Sequence, residues 1–390
     1  MNSWNPFKRY LKMVNRTGIS RRALVSGIAT LALMPSSLIA AGAHQNRGRN
    51  DVWLSAQGDR AKTYGMGLFH SGNATNLEIP SGFRGHGVCL HPAHHRVVMF
   101  ARRPGKEAIE VDLESHDHRL AFVCKNNRHL FGHGCFSPDG KLLFTTETEI
   151  DTGRGLIAIR DANSYELLAE ISSHSIGPHE LKLLNDGKTL VVANGGILTH
   201  PDSGRKKLNL DSMSSNLCYI DSYSGKRLAL HRLPEAKASI RHLDVAVDDT
   251  VAFAMQFQRE AAVHDSLVPL TATHRLGNPP RLLEAPAAVL MQMRDYIGSV
   301  VINNKNRVVG FTSPKGSIAL FWDLNNGAFL GYHQLHDVCG IAVTADQRYF
   351  ALTSSNGQMR LLDAQTLKED RAHRQHPDIR WDNHLLLTTG

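Results

Sequence analysis

What this chain lacks narrows it first. It has five cysteines, Cys89, Cys124, Cys135, Cys218 and Cys339, with no CxxC pair among them. An odd number cannot pair fully within one chain. Most sit in apolar strand-like runs such as "GHGVCL" and "NLCYI", so buried free thiols are expected rather than a disulfide framework. HExxH, GxSxG and EF-hand loops are missing, which removes the commonest zinc-protease, serine-hydrolase and calcium motifs. The glycine-rich pieces "NGG" (194–196) and "TGRG" (152–155) precede strands rather than helices, so neither cradles a nucleotide.

Acidic residues are absent from residues 1–43, which hold Lys8, Arg9, Lys12, Arg16, Arg21 and Arg22. Paired arginines, a moderately apolar run broken by Gly27 and Pro35, and a small-x-small ending at Ala41-Gly42-Ala43 form the layout of a twin-arginine export signal. The apolar run, roughly 20 residues and interrupted, spans a bilayer poorly. The expectation is a periplasmic protein, handed folded to the twin-arginine translocase, with no membrane span after cleavage. Removing the leader's six basic residues takes the net charge from +8 to +2, so no nucleic-acid partner is expected.

The mature chain, residues 44–390, is expected to form a single domain built from a repeat. "RGHGVCLHPAHHRVVMF", "FGHGCFSPDGKLLFTT", "GPHELKLLNDGKTLVVANGG", "IRHLDVAVDDTVAFAMQFQ", "YIGSVVINNKNRVVGFTS" and "DVCGIAVTADQRYFALTSSNG" each open with a strand, turn on a polar corner and return as a more apolar strand. Third and fourth strands follow in several units. His86 to His133 is 47 residues and His133 to His179 is 46. Four strands at that period predict all-β propeller blades. Six units are complete. Residues 51–80 read as second, third and fourth strands, and 378–387 as a first strand. Together they predict a seventh blade that closes the ring, eight being the alternative count.

In a propeller, inner-strand starts and second-to-third-strand loops share one mouth. That geometry collects His86, His133, His179, Glu180, Arg241 and His242 from strand starts. From the loops it collects Arg102, Arg103, Glu147, Glu149, Arg154, Asn194, His200, Asp202, Arg205 and Gln256. Gly298 and Cys339-Gly340 stand where the last two units would place histidine. His94, His95, His116, His118, His373 and His376 fall on corners and are expected in solvent. Two readings compete for the mouth histidines. Each bonds a neighbouring blade's backbone, or several converge with carboxylates on a metal or an anionic ligand. His133, His179 and His242 are the candidate metal ligands, for iron, copper or zinc; the arginines suit carboxylate or phosphate.

The stretches "GHGCFSPDGKLLFTTETEIDTGRGLIAIRDA", "GPHELKLLNDGKTLVVANGGILTHPDSGRKKLNL" and "SIRHLDVAV", with the leader, resemble the exported bacterial family known as domain of unknown function fifteen-thirteen. The resemblance implies a seven-bladed, quinoprotein-dehydrogenase-like propeller with no established catalytic residues. It also implies genes often beside imelysin-type and dihaem-oxidoreductase genes, hence a periplasmic role near iron uptake or redox handling, with imelysin-type proteins as partners. Two other functions stay open on the sequence. One is a metal- or quinone-dependent enzyme, lactonase- or dehydrogenase-like. The other is a protein-docking scaffold using the "ILTHPDSGRKKLNLDSMSS" loop.

Overall fold

The computed structural model describes residues 51–58, 63–204, 206–264 and 266–389; the leader and Arg205 lie outside them. The repeats form seven antiparallel sheets arranged as a β-propeller. Blade 1 orders its strands Leu386–Thr389, Asp51–Gly58, Tyr64–His70 and Thr75–Pro80. Blades 2 to 6 begin with the inner strands Gly85–Leu90, Arg128–Phe136, Pro178–Leu183, Ala238–Val245 and Ser299–Asn303. Blade 7 has three strands, Val338–Val343, Tyr349–Ser354 and Met359–Asp363. Its outer edge is covered by isolated bridges from Glu369 and Gln375. Among the described residues, no helix is long and apolar enough to cross a membrane.

The corner between third and fourth strands recurs for a local reason. Asp112, Asp161, Asp221, Asp323 and Asp363 each accept, through Oδ1, backbone N–H bonds from the residues two and three positions on. That fold of the side chain onto its own backbone is an Asx turn. The fifth position then needs a left-handed conformation. Gly225 and Gly327 supply it, with φ of 69° and 74°. His116, Tyr165 and Leu367 adopt it without glycine, at 63°, 58° and 55°. The aspartate is therefore the dominant signal at this corner.

Ring closure differs from the sequence expectation in register. The last strand is Leu386–Thr389, pairing Trp53 with Leu387 and Leu54 with Leu386, rather than 378–387. The segment before it runs inward, touching blade 1 at the Gln57–Trp381 bridge. Trp53, Phe69, Cys339, Met359, Trp381 and Leu385 pack together as an apolar seam between the first and last blades. The five cysteines are free thiols, three buried and two partly buried. Deleting residues 386–390 strips Asp51–Gly58 of its edge partner and exposes an unpaired strand. A fall of at least about 10 °C in melting temperature and a shift to oligomers in light scattering are expected; an unchanged monomer with wild-type melting would show that the closing strand is dispensable.

Candidate functional site: a histidine throat

Each inner strand that carries a site residue breaks register near its start. His86 lies in the irregularity between Gly85 and Val88, and His133 in that between Leu130 and Gly134. His179 is the unpaired residue between Pro178 and Glu180, and Arg241 the one between Ile240 and His242. A bulge leaves one residue out of the ladder and re-aims side chains. Here it does so on four consecutive blades.

The glycines of "RGHG" and "FGHG" explain the close approach. A Cβ on Gly132, whose φ is 99°, would come within 2.7 Å of the His86 ring; one on Gly87 would meet His133 Nδ1 at 2.8 Å. The missing histidines of blades 6 and 7 have a matching explanation. Gly298 and Gly340 leave room for the inward-running tail: their absent Cβ atoms would meet Asn383 Oδ1 at 3.2 Å and Leu385 Cβ at 3.0 Å. That tail delivers a fifth imidazole, His384, at a φ of 72°. The sequence reading missed it. The signal was a histidine inside 378–387, the segment already assigned the innermost position of its blade.

The five rings form one cluster. Ring centroids are 4.8 Å apart for His86–His133 and His86–His384, 4.7 Å for His133–His384, 4.8 Å for His179–His242 and 4.4 Å for His242–His384. His86 Nε2 and His179 Nε2 are 3.4 Å apart. Glu180 sits against them, with Oε2 3.1 Å from His242 Nδ1 and Oε1 3.9 Å from His133 Nδ1. Three groups have donor atoms within 4.8 Å of one another: His86–His179–His242, His86–His133–His384 and His133–Glu180–His242. Five blades thus contribute to one throat.

Desolvation is the first cause of lowered pKa at all five imidazoles, followed at most of them by repulsion from neighbouring histidines or arginines; at His133 the Glu180 carboxylate partly opposes it. His242 is pushed down to about 3. Burial also raises Glu180. The rings are therefore neutral at neutral pH, the form that ligates metals. Buried Nδ1 of His86 and His179, and Nε2 of His133 and His384, have no hydrogen-bond partner among the described residues. Each such atom costs about 1–3 kcal/mol unless something fills its coordination. Elsewhere histidine does serve blade packing. His91 Nε2 bonds Gly140 O on the next blade.

The throat divides two cavities. On the mouth side a basin of about 780 Å³ is lined by Arg102, Arg103, Arg241 and Gln256 among others. On the opposite side a cavity of about 560 Å³ reaches His133, Glu180 and His384, with Lys182 and Asp244 on its wall.

Several residues assigned to the mouth are placed elsewhere. Glu147 is not in a loop: its strand runs on to Glu149, so alternation turns its side chain into the blade packing. There it is 1% exposed and accepts from Arg160 Nη2 at 2.7 Å, with the guanidinium 3.9 Å above Phe122. Glu149 and Arg154 bind each other at 2.7 Å, away from the cluster, and Arg128 joins at 3.1 Å. Asn194 is a buried strut, donating to Ser173 O and Asn216 Oδ1. His200 caps a short helix at Pro201–Ser203 and lies 3.6 Å from Asp202; neither joins the cluster. Of the corner histidines, His94, His95, His118, His373 and His376 are exposed and His116 is partly so.

These observations define a class: a seven-bladed propeller whose central channel is plugged by histidines. Residues 79–388 match the sequence pattern of the family described as "Protein of unknown function (DUF1513)", and the chain belongs to that family. No curated protein matches it. Among solved structures, a chain of Kuenenia stuttgartiensis hydrazine synthase is similar, with a TM-score of 0.59 at 12% identity, covering 78% of this chain and 90% of that one. At that identity the likeness is one of fold.

Two outcomes test the site's electrostatics. Replacing Arg160 with Ala strands the Glu147 carboxylate in the blade interface, and urea unfolding should register a loss of about 3–5 kcal/mol; a loss under about 1 kcal/mol would mean the pair is solvated. The histidines set an acid limit. Their folded pKa values lie below the unfolded value near 6.5, so their stabilisation is complete above that pH and is lost as the pH falls below it. Each can remove up to about 1.4 kcal/mol per pH unit. Glu180 has the opposite sign, since its folded value is raised, but one carboxyl faces five imidazoles. Unfolding free energy should fall steeply from pH 6.5 to 4.5 in the wild type, and less steeply in His86→Phe.

Proposed function

We propose that this chain is a metal-binding propeller of the bacterial periplasm, holding a transition-metal ion at His133, Glu180 and His242 and serving iron handling. The observation that carries the reading is the meeting of neutral imidazoles from five blades with one partly buried carboxylate. Donor atoms around a single ion at roughly 2.1 Å stand about 3 Å apart. The Glu180–His242 distance of 3.1 Å already fits, and the Glu180–His133 distance of 3.9 Å needs a small side-chain shift. Two imidazoles and a carboxylate form the donor set of non-haem Fe(II), and also suit zinc. Glu180 offsets one of the ion's charges, which the all-histidine groups cannot do. Glu180 Oε2 also accepts from the Leu243 backbone N–H at 3.3 Å, which fixes the carboxylate.

The family resemblance supports iron as the setting and imelysin-type proteins as candidate partners. The twin-arginine leader supports the compartment and suggests loading in the cytoplasm before export, since its substrates cross already folded. Protein processed in the periplasm and purified without chelator should carry about one ion per chain by elemental analysis. Glu180→Gln should weaken binding at least about tenfold, and His133→Ala with His242→Ala should abolish it. Wild-type protein that takes up no iron, zinc or copper at micromolar concentration, while folded by circular dichroism, would end the proposal.

A further inference from the structure

The mouth side of the throat has a different chemistry from its carboxylate side. Between basin and cluster lies a narrow neck of about 30 Å³, lined by Arg102, Arg103 and Arg241, by His86 and His179, and by Gln256. Among the described residues, no carboxylate lines this neck. Arg241 is 3% exposed, and its charge contributes to holding His179 and His242 neutral. The wider basin has eight cationic and four anionic lining side chains among the described residues. Several of these are matched: Arg84 with Asp382 at 3.3 Å, Arg102 with the same carboxylate at 3.8 Å, Arg259 with Asp295 at 2.6 Å and Lys207 with Glu260 at 2.5 Å, yet cationic side chains still outnumber anionic ones two to one. A cationic surplus therefore sits above the neck, where low dielectric and concave walls focus the field.

The histidine pair below adds a second, independent requirement. His86 Nε2 faces His179 Nε2 at 3.4 Å, so one donates and the other accepts. The accepting ring then carries its proton on Nδ1. That Nδ1–H, in either assignment, is a buried donor with no partner among the described residues. The donating ring's Nδ1 is then a bare acceptor, so the pair offers one donor and one acceptor, and it is the positive charge of the three arginines that favours an anionic head group in the neck. A bare cation is repelled from this side.

From this geometry we infer that the basin binds a small organic anion with more than one carboxylate, one carboxylate entering the neck among Arg102, Arg103 and Arg241 and the others spread in the basin. A planar carboxylate matches the guanidinium fork through two parallel N–H···O bonds. The neck admits only a group of about one or two water volumes, so the remainder of the ligand stays in the larger space above. The inference rests on the neck's own residues and on the metal reading only in placing the entering carboxylate next to the ion's site. In that arrangement a metal ion and a polycarboxylate share one throat from opposite sides.

Calorimetry with metal-free mature protein tests it, using tricarballylate, a tricarboxylate, with acetate and inorganic phosphate as comparisons. Tricarballylate should bind at one site at submillimolar concentration, at least tenfold more tightly than acetate or phosphate. Arg241→Gln should weaken it at least tenfold, and Arg241→Lys less. Arg103→Gln supplies the same reading should the Arg241 variants fail to fold. Phosphate binding as tightly as tricarballylate would overturn the carboxylate assignment. Absence of binding by all three anions, in folded protein with and without bound metal, would overturn the site. Anion binding by protein that takes no metal would sustain this inference while removing the metal reading; metal binding without anion binding would do the reverse.

Discussion

The throat exists because a circular array of sheets must close, and because closing this one drives the end of the chain through the axis. The tail between Trp381 and Leu386 is held from both sides. The apolar seam of Trp53, Phe69, Cys339, Met359 and Leu385 anchors it outside, and the strand pairing of Leu386 and Leu387 fixes its exit. Between those anchors, Asn383 and His384 have one place to go, the gap left by Gly298 and Gly340. Without that path the four histidines of consecutive blades would face an open channel. With it they are almost wholly buried, and desolvation is the main influence on their charge.

Sealing has an energetic cost that the rest of the fold must carry. Buried ring nitrogens without partners oppose folding, as does the left-handed backbone of His384. The offsetting contribution comes from the packed interfaces between blades. Large side chains such as Phe253, Phe311, Trp322 and Phe350 are fully buried there, and each removes a large apolar surface from water. A scaffold of this kind tolerates a strained, polar centre because its stability is spread over the whole circumference.

Much of this was legible in the sequence, for identifiable reasons. Blade count followed from the spacing of His86, His133 and His179, since one inner strand per unit repeats with the unit. The shared mouth of His86, His179, Arg241 and Gln256 followed from connectivity alone. Side-chain direction was harder. Glu147 was misplaced because a strand longer than expected shifts which residues face the loop, and alternation then decides burial. Asn194, Glu149 and Arg154 sit at the right end of their strands but turn to local partners, which spacing does not reveal. His384 was missed because its segment does not follow the register of the strand it leads into. The glycines of blades 6 and 7 looked like an interruption in the ring, whereas they are the space that the tail fills.

His384 has one more implication, which concerns timing. Of the five imidazoles it is the last to leave the ribosome, some 140 residues after His242. Four of the rings can gather before the strand Leu386–Thr389 has docked, but the cluster lacks its fifth ring until that strand pairs with Asp51–Gly58. Until that strand docks, the other four histidines lack the neighbour that helps exclude water from them. Assembly of the five-ring cluster therefore waits on the pairing of Leu386–Thr389 with Asp51–Gly58, a contact between segments more than 300 residues apart.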